Sequence, residues 1–172
     1  WYSNDGTGSF GQQRIISAQV KEASSVHATD LDLDGDQDVL ATSFFDGQVV
    51  WFANNGLGSF GPKRIISSQA QAARSVNSAD MDGDGDLDVL SLSYSGIVWH
   101  ANDGFGNFGS EHLISMVATE ERSFHISDPD GDGDNDVISS SNGAVNIAWY
   151  TNDGFGGFGP QQIISSQAAG AR

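Results

Sequence analysis

The chain has 172 residues, 38% of them hydrophobic and 22 of them glycine, so it can bury a core but must turn often. It contains no cysteine, which excludes disulfide bonds and thiolate metal sites. Its formal net charge of −16, its few dispersed basic residues and the lack of any apolar run of roughly 18 residues predict no nucleic-acid partner and no membrane insertion.

An internal repeat of about 50 residues organises the sequence. Each copy contains a tryptophan, then a Gly-x-Phe-Gly motif, then a segment rich in isoleucine. The tryptophans are Trp1, Trp51, Trp99 and Trp149. An aspartate-rich loop follows three of the four isoleucine-rich segments.

Between these motifs the chain has the pattern of short β-strands. Within 71–118, the segments 75–79, 88–94, 96–101 and 111–115 carry β-branched or aromatic residues that partly alternate with small polar ones. The Asn-Asp-Gly and Asn-Asn-Gly triplets after each tryptophan strand are typical of tight turns. We therefore predict four antiparallel strands per repeat and no long helix.

A repeat of four short antiparallel strands is typical of a β-propeller blade, which must stack on its neighbours to bury both faces. We predict an all-β fold of about three and a half blades in a single repeat domain, 1–172. The half blade, with third and fourth strands, is 1–22, and the full repeats are 23–70, 71–118 and 119–172.

The repeated aromatic residues have two interpretations. We expect the tryptophans and the motif phenylalanines to fill the interfaces between blades, and the alternative is that they face a ligand. The phenylalanines are Phe10, Phe60, Phe108 and Phe158.

The three aspartate loops share the pattern D-x-D-x-D-G-x-x-D and hold 15 of the 23 acidic residues. Their members are Asp30, Asp32, Asp34, Asp36 and Asp38, then Asp80, Asp82, Asp84, Asp86 and Asp88, then Asp128, Asp130, Asp132, Asp134 and Asp136. Five carboxylates within nine residues repel one another unless a cation lies among them. An acidic, solvated turn without an ion is the alternative, but three copies at fixed spacing favour metal binding.

Calcium fits these loops best, because it takes six to eight oxygen ligands and the sixth-position glycine permits the sharp bend. Magnesium uses fewer oxygens, and zinc would need cysteine or converging histidine. An EF-hand is excluded because position twelve is Ala41, Ser91 or Ser139 and the flanks read as strands. We expect side-chain ligands from the first, third, fifth and ninth positions, the ninth bidentate, and by analogy a backbone carbonyl from the seventh.

With its Phe-Gly pair, its D-x-D-G-D-x-D loop and the Asp-Val-Leu strand that follows, the chain resembles the FG-GAP and VCBS repeats of integrin α-subunit propellers and of bacterial and algal surface proteins. The resemblance implies a β-propeller with a calcium loop between the first and second strands of each blade. It implies all fifteen loop aspartates as ligands for three Ca²⁺ ions. It also implies an extracellular or cell-surface location, with a role in adhesion or carbohydrate binding.

No unique catalytic constellation stands out from the repeat, so we predict a non-catalytic protein. His27, Asn77 and His125 share one repeat position in the predicted innermost strand, where they either line a channel wall or form a sugar or ion site. Four aromatic residues in loops are further candidates for stacking on a sugar, or pack on the next blade. These are Phe44, Tyr94, Phe105 and Phe155.

Partners follow from the incomplete set of blades. Three and a half blades are too few for the rings of four to eight found in propellers. We therefore expect self-association or further repeats of the same chain, and a glycan or a surface protein as a possible ligand. The functional alternatives are a calcium-binding scaffold for adhesion or structural assembly and a carbohydrate-binding propeller or accessory module of a polysaccharide-active enzyme.

Overall fold

A computed structural model of the chain describes residues 1–116, 121–141 and 146–167. They form three four-stranded antiparallel sheets, in each of which the strands are ordered along the sheet as they are along the chain. This described part contains no helix that could span a membrane. The prediction of an all-β chain with four antiparallel strands per unit is confirmed, and the sheets are consistent with propeller-like blades.

Each sheet falls within one of the three predicted repeats. The first sheet consists of β1 (Ala23–Thr29), β2 (Asp38–Ser43), β3 (Gln48–Phe52) and β4 (Arg64–Ser67). The second consists of β5 (Ser75–Ala79), β6 (Asp88–Ser93), β7 (Gly96–Asn102) and β8 (Phe108–Ser115). The third consists of β9 (Glu121–Ser127), β10 (Asp136–Ser141), β11 (Asn146–Tyr150) and β12 (Gln162–Ser165). The predicted boundary at 118–119 and positions 168–172 lie outside the described residues.

The middle strands carry most of the core. All six residues of β6 are buried, and so are all but one of β7, because their valine, leucine and isoleucine side chains lie between neighbouring sheets. The fourth strands are more exposed, and β4 exposes Arg64 and Ile65. Burial therefore falls from the middle of each sheet toward its last strand.

The predicted strand ends differ from the observed ones around the turns. β6 ends one residue before Tyr94, which is 51% exposed. β7 extends to Asn102 and β8 begins at Phe108, because these two residues pair across the Asn-Asp-Gly turn. Asp103 stabilises that turn by accepting hydrogen bonds from the N–H groups of Phe105 and Asn107.

Residues 1–22, the predicted half blade, do not form the third and fourth strands expected of them. Residues 1–22 contain no regular strand; instead, Asn4 and Phe10 form an isolated antiparallel bridge. Backbone hydrogen bonds from Gly11 to Ser3 and from Arg14 to Trp1 complete a hairpin. No described strand pairs with this hairpin, so it lacks the ladder that extends the corresponding strands in the other sheets.

Some of the repeated aromatic residues lie between sheets. Trp51 is 1% exposed and meets Phe108 of the next sheet edge to face, with ring centroids 6.4 Å apart. Gly106, at a φ of 73°, lies so close to the Trp51 ring that any side chain there would collide with it. Phe10 departs from the prediction, because it is 68% exposed.

Neighbouring sheets also meet through their first strands. The Nε2 atom of His27 in β1 lies 3.1 Å from the hydroxyl of Ser78 in β5, and that hydroxyl donates to Thr29 in β1. The N–H of Val76 donates to the Ser25 hydroxyl at 3.4 Å. The first strands of the first two sheets therefore lie side by side, as in stacked blades.

Candidate metal centres

The three aspartate loops each connect the first strand of a sheet to the second. The first loop follows β1 and ends where β2 begins, and the other two occupy the same place before β6 and β10. In each, the sixth residue is a glycine with positive φ, as at Gly85 with a φ of 95°. Its N–H donates to the first aspartate of the loop, Asp80, at 3.0 Å, which curls the loop around its own carboxylates.

In the first two loops the first, third and ninth aspartates converge. Three carboxylate oxygens, one from each residue, lie within 4.8 Å of one another in each loop. The groups are Asp30, Asp32 and Asp38, and Asp80, Asp82 and Asp88. Of the predicted ligands, the fifth-position residues Asp34 and Asp84 are not part of these groups.

The third loop converges differently. Its group is Asp128, Asp130 and Asp132, all three exposed, and the ninth aspartate, Asp136, is not part of it. The three loops therefore share a sequence pattern but not one arrangement of carboxylates.

A proline accounts for part of this difference. In the first two loops the second residue donates its N–H to the ninth aspartate, from Leu31 to Asp38 at 3.1 Å and from Met81 to Asp88 at 2.8 Å. The third loop has Pro129 at this position, which has no N–H. The indole N–H of Trp149 donates to Asp136 there instead, at 2.8 Å. In the third loop the ninth aspartate therefore accepts a bond from the Trp149 indole in place of the bond from the second loop residue.

The ninth aspartates are fully buried and link each loop to the end of the third strand. In every sheet one carboxylate oxygen accepts the N–H of the asparagine that precedes the turn, at 2.8–2.9 Å. The pairs are Asn54 with Asp38, Asn102 with Asp88, and Asn152 with Asp136. Each carboxylate oxygen has a further lone pair, so these bonds leave capacity for a metal ion.

Several carboxylate oxygens are buried without a hydrogen-bond partner. These are Oδ1 of Asp30, Oδ1 of Asp32 and Oδ1 of Asp82. An ionised carboxylate only accepts hydrogen bonds, and burying it without a donor or a cation costs several kcal/mol. All three belong to the converging groups of the first two loops, so the residues present fit a bound cation.

Asp32, Asp82 and Asp88 have raised pKa values. Burial is the main cause at Asp88, whose pKa rises to about 6, although the N–H groups of Asn102 and Met81 oppose the rise by stabilising the charged form. Burial, followed by repulsion from neighbouring carboxylates, raises the pKa values of Asp32 and Asp82. A cation in the loop would stabilise the charged forms and oppose these shifts.

These shifts predict how the effect of calcium depends on pH. A folded-state pKa above the ordinary value means that Asp88 stabilises the metal-free fold below pH 3.8, and that this stability is lost as the pH rises through about 6. Burial lowers the pKa values of His27 and His100, whose effect has the opposite sign. No group of potential metal ligands within the described residues includes a histidine, so we expect the histidine contribution to cancel in the calcium-induced rise in melting temperature. Calcium binds the charged carboxylates, and Asp88 is more fully charged at pH 7 than at pH 5. We therefore expect the calcium-induced rise in melting temperature to be larger at pH 7, and equal rises at the two pH values would contradict the prediction.

The seventh-position aspartates turn toward their own sheet. The carboxylates of Asp36, Asp86 and Asp134 lie against the turn glycines Gly56, Gly104 and Gly154, respectively. None of the three belongs to a converging group. Their roles as ligands, through a carbonyl or otherwise, stay predictions.

The second predicted set occupies one register position in the three sheets, and its role in binding a sugar or an ion stays a prediction. His27, Asn77 and His125 lie in β1, β5 and β9, each opposite a leucine or isoleucine of the second strand. His27 contacts the Ser78 hydroxyl, and the Asn77 side chain accepts the N–H of Ser78 at 2.9 Å. His125 is exposed. Within the described residues no group of potential metal ligands includes these histidines.

A cavity of about 390 Å³ lies between the first and second sheets. It is lined by Phe44, Phe45, Asp46, Gly47, Ser68, Gln71, Ala72 and Tyr94. Phe44 and Tyr94 were candidates from the sequence, whereas Asp46 and Gln71 were not. The signal available in the sequence is Phe44-Phe45-Asp46, which has no counterpart after β6. The other two candidates, Phe105 and Phe155, are exposed at turns outside the cavity, at 77% and 85%.

Comparisons with solved structures agree with this architecture. A lectin of Agrocybe aegerita, described as recognising non-reducing terminal N-acetylglucosamine, superposes with a TM-score of 0.70 at 25% identity. The match covers 99% of this chain and 47% of the lectin, so the chain spans about half the lectin's length. The Photorhabdus luminescens Tc holotoxin pore superposes with a TM-score of 0.51 at 17% identity over 95% of this chain and 8% of that one, which supports the fold alone.

Sequence comparisons identify the repeat. No curated protein sequence matches the chain significantly. The family model for FG-GAP-like repeats matches residues 30–91 and 128–172, and these segments contain all three aspartate loops and make up more than half of the chain. The chain therefore belongs to the FG-GAP-like repeat family.

Proposed function

We propose that this protein is a non-catalytic, calcium-binding propeller-type scaffold that works outside the cell in adhesion or structural assembly. The observation that carries the proposal is the set of buried carboxylate oxygens without hydrogen-bond partners in the first two loops. Calcium binds oxygen ligands in flexible geometries and suits a loop that offers several carboxylates. FG-GAP-like repeats that need neighbours to complete a ring also favour self-association, or further repeats of the chain, as partners.

Metal selectivity tests this function. We expect calorimetric titration to show calcium binding with a dissociation constant of the order of 10⁻⁴–10⁻³ M, the range of extracellular modules. Magnesium should bind more weakly, because it demands a near-ideal octahedron and dehydrates reluctantly. Tighter binding of magnesium than of calcium, or no binding of either, would contradict the assignment.

A second function, glycan binding, is favoured by the cavity between the first two sheets. Its walls combine the aromatic rings of Phe44 and Tyr94 with the polar groups of Asp46 and Gln71. Sugars bind proteins by stacking on aromatic rings while polar side chains orient their hydroxyl groups. The similarity to a lectin that recognises terminal N-acetylglucosamine makes this sugar the first ligand to test.

Glycan binding predicts a specific loss. We expect the protein to bind immobilised N-acetylglucosamine, and Tyr94→Ala to weaken that binding at least tenfold by removing one wall of the cavity. Phe105→Ala is the matched control, because Phe105 is an exposed aromatic residue outside the cavity. Equal binding by the two variants would rule out the cavity as the site, and a wild-type protein that binds no glycan on an array would rule out the function.

A further inference from the structure

We infer that the first two metal centres are coupled across the sheet boundary through the side chain of Asn102. This inference rests on the proposed calcium-binding function and adds to it how one site influences the next. Asn102 is the last residue of β7 and is 4% exposed. A buried amide with both hydrogens committed is held in one orientation, and it can therefore transmit a change of position.

The amide of Asn102 joins the two loops directly. Its Nδ2 donates to the carbonyl of Leu31 in the first loop at 2.8 Å and to the carbonyl of Leu87 in the second at 3.0 Å. Asn102 lies 71 positions from Leu31 in the chain, so this is a contact between sheets. One side chain thus fixes backbone groups of two neighbouring loops.

Each end of this bridge reaches a converging aspartate. On one side, the N–H of Leu31 donates to Asp38. The carbonyl of Leu31 belongs to the same peptide unit as the N–H of Asp32. On the other side, the N–H of Asn102 itself donates to Asp88 at 2.9 Å. An unbroken path of hydrogen bonds and peptide units therefore runs from Asp38 through Leu31 and Asn102 to Asp88.

The next sheet boundary repeats this arrangement. Asn152 donates from Nδ2 to the carbonyl of Met81 at 2.8 Å, and from its N–H to Asp136 at 2.8 Å. This second path ends on an aspartate outside the converging group of the third loop, because Pro129 changes that loop. We therefore expect coupling between the first and second sites to be stronger than coupling to the third.

Asn54 supplies a natural control within the chain. It occupies the same repeat position, and its N–H donates to Asp38 at 2.8 Å as the others do. Its Nδ2, however, donates only to Gln37 of its own sheet, at 3.0 Å. Changing this asparagine removes two hydrogen bonds within one sheet, to the Gln37 carbonyl and from the Asn55 N–H, and leaves the contact between sheets intact.

Calcium at the first site holds Asp32 and Asp38 in place, and this fixes the backbone of Leu31. Because Asn102 is hydrogen-bonded to Leu31, its own N–H, which donates to Asp88, is fixed as well. The second site is then already ordered before its own ion binds, so its affinity rises. Coupling of binding energies is reciprocal, so the second site raises the affinity of the first by the same factor. Asn102 is a positioning residue in this scheme and does not itself need to touch an ion.

A mutant cycle on the full chain tests the coupling. Calcium is titrated while the NMR signal of the Gly85 amide, which donates to Asp80, reports on the second site. Asp32→Ala disables the first site, and we expect it to weaken the second at least about fivefold. In the background of Asn102→Leu, which keeps the side-chain volume but removes the amide, Asp32→Ala should change the second site less than about twofold. In the Asn54→Leu background the full effect should persist.

Three results of this cycle would overturn the inference. An unchanged second site after Asp32→Ala overturns the coupling, and an equal loss with and without the Asn102 amide overturns the path. Loss of coupling in Asn54→Leu as well would assign it to general destabilisation. If Asn102→Leu does not fold, Asn102→Ala takes its place in the cycle, because it removes the same two donor bonds. Calcium binding without coupling refutes only this inference, whereas no binding at any loop refutes the proposed function too.

Discussion

Removing calcium is expected to lower the melting temperature of the protein by roughly 10–30 °C. A site with a dissociation constant of 10⁻⁴–10⁻³ M contributes about 1.4–2.7 kcal/mol at 10 mM calcium, so three sites contribute roughly 4–8 kcal/mol. For a chain of this length each kcal/mol corresponds to about 2–4 °C. Circular dichroism melts in 10 mM calcium and in excess chelator measure the difference.

The same carboxylates explain why the loss should be large. Without an ion, the aspartates of each loop repel one another and Asp30, Asp32 and Asp82 keep buried oxygens without partners. Magnesium at the same concentration is the control for ionic strength, and it should restore only part of the stability. Identical melts with calcium and with chelator would show that the loops are not structural metal sites.

Replacing Asp88 by alanine is expected to be far more damaging than replacing Asp86. Asp88 is fully buried, belongs to the converging group of the second loop and accepts hydrogen bonds from Met81 and Asn102. Its loss should weaken calcium binding at the second site at least tenfold. In calcium it should also lower the free energy of unfolding by about 2–4 kcal/mol, because two buried N–H groups lose their acceptor.

Asp86→Ala removes the same number of atoms from the same loop, which makes it a matched comparison. The Asp86 carboxylate lies against Gly104 and outside the converging group, so we expect less than about threefold loss of affinity. Chemical denaturation and calorimetry of both variants in calcium provide the two readouts. Similar losses at the two positions would refute the division of the loop into carboxylates that converge and carboxylates that do not.

Local patterns predicted the sheets well. Strand β5 has the bounds expected from alternation and β-branched residues, and β6 differs by one residue at Tyr94. The errors concentrate where pairing depends on a partner. β8 begins three residues before the predicted start because Phe108 pairs with Asn102, and 1–22 lacks regular strands because no described strand pairs with it.

The candidate site was predictable in position but not in detail. Repeated aspartates located all three loops, since charge repulsion and spacing are properties of the sequence alone. The distinct third loop follows from Pro129, whose missing N–H releases Asp136 to Trp149. The sequence shows this proline, but its effect becomes evident only once Leu31 and Met81 are seen to donate at the same position.

The sequence pattern did not predict the contacts between sheets. Asn102 stands in an Asn-Asp-Gly triplet that is typical of a turn, and nothing local indicates that its side chain donates to a carbonyl 71 positions away. The cavity beside Phe44 and Tyr94 likewise needs two sheets in register. Both features depend on how the blades stack, and the pattern within one repeat does not determine that stacking.

A crystal structure of the protein grown in millimolar calcium would locate the ions themselves. We expect an ion in the second loop, within about 2.3–2.6 Å of carboxylate oxygens from Asp80, Asp82 and Asp88, and a corresponding ion in the first. The anomalous signal of the ion distinguishes it from water. Loops that hold only water at these positions, with the carboxylates hydrogen-bonded to it, would show that the aspartate loops are not calcium sites.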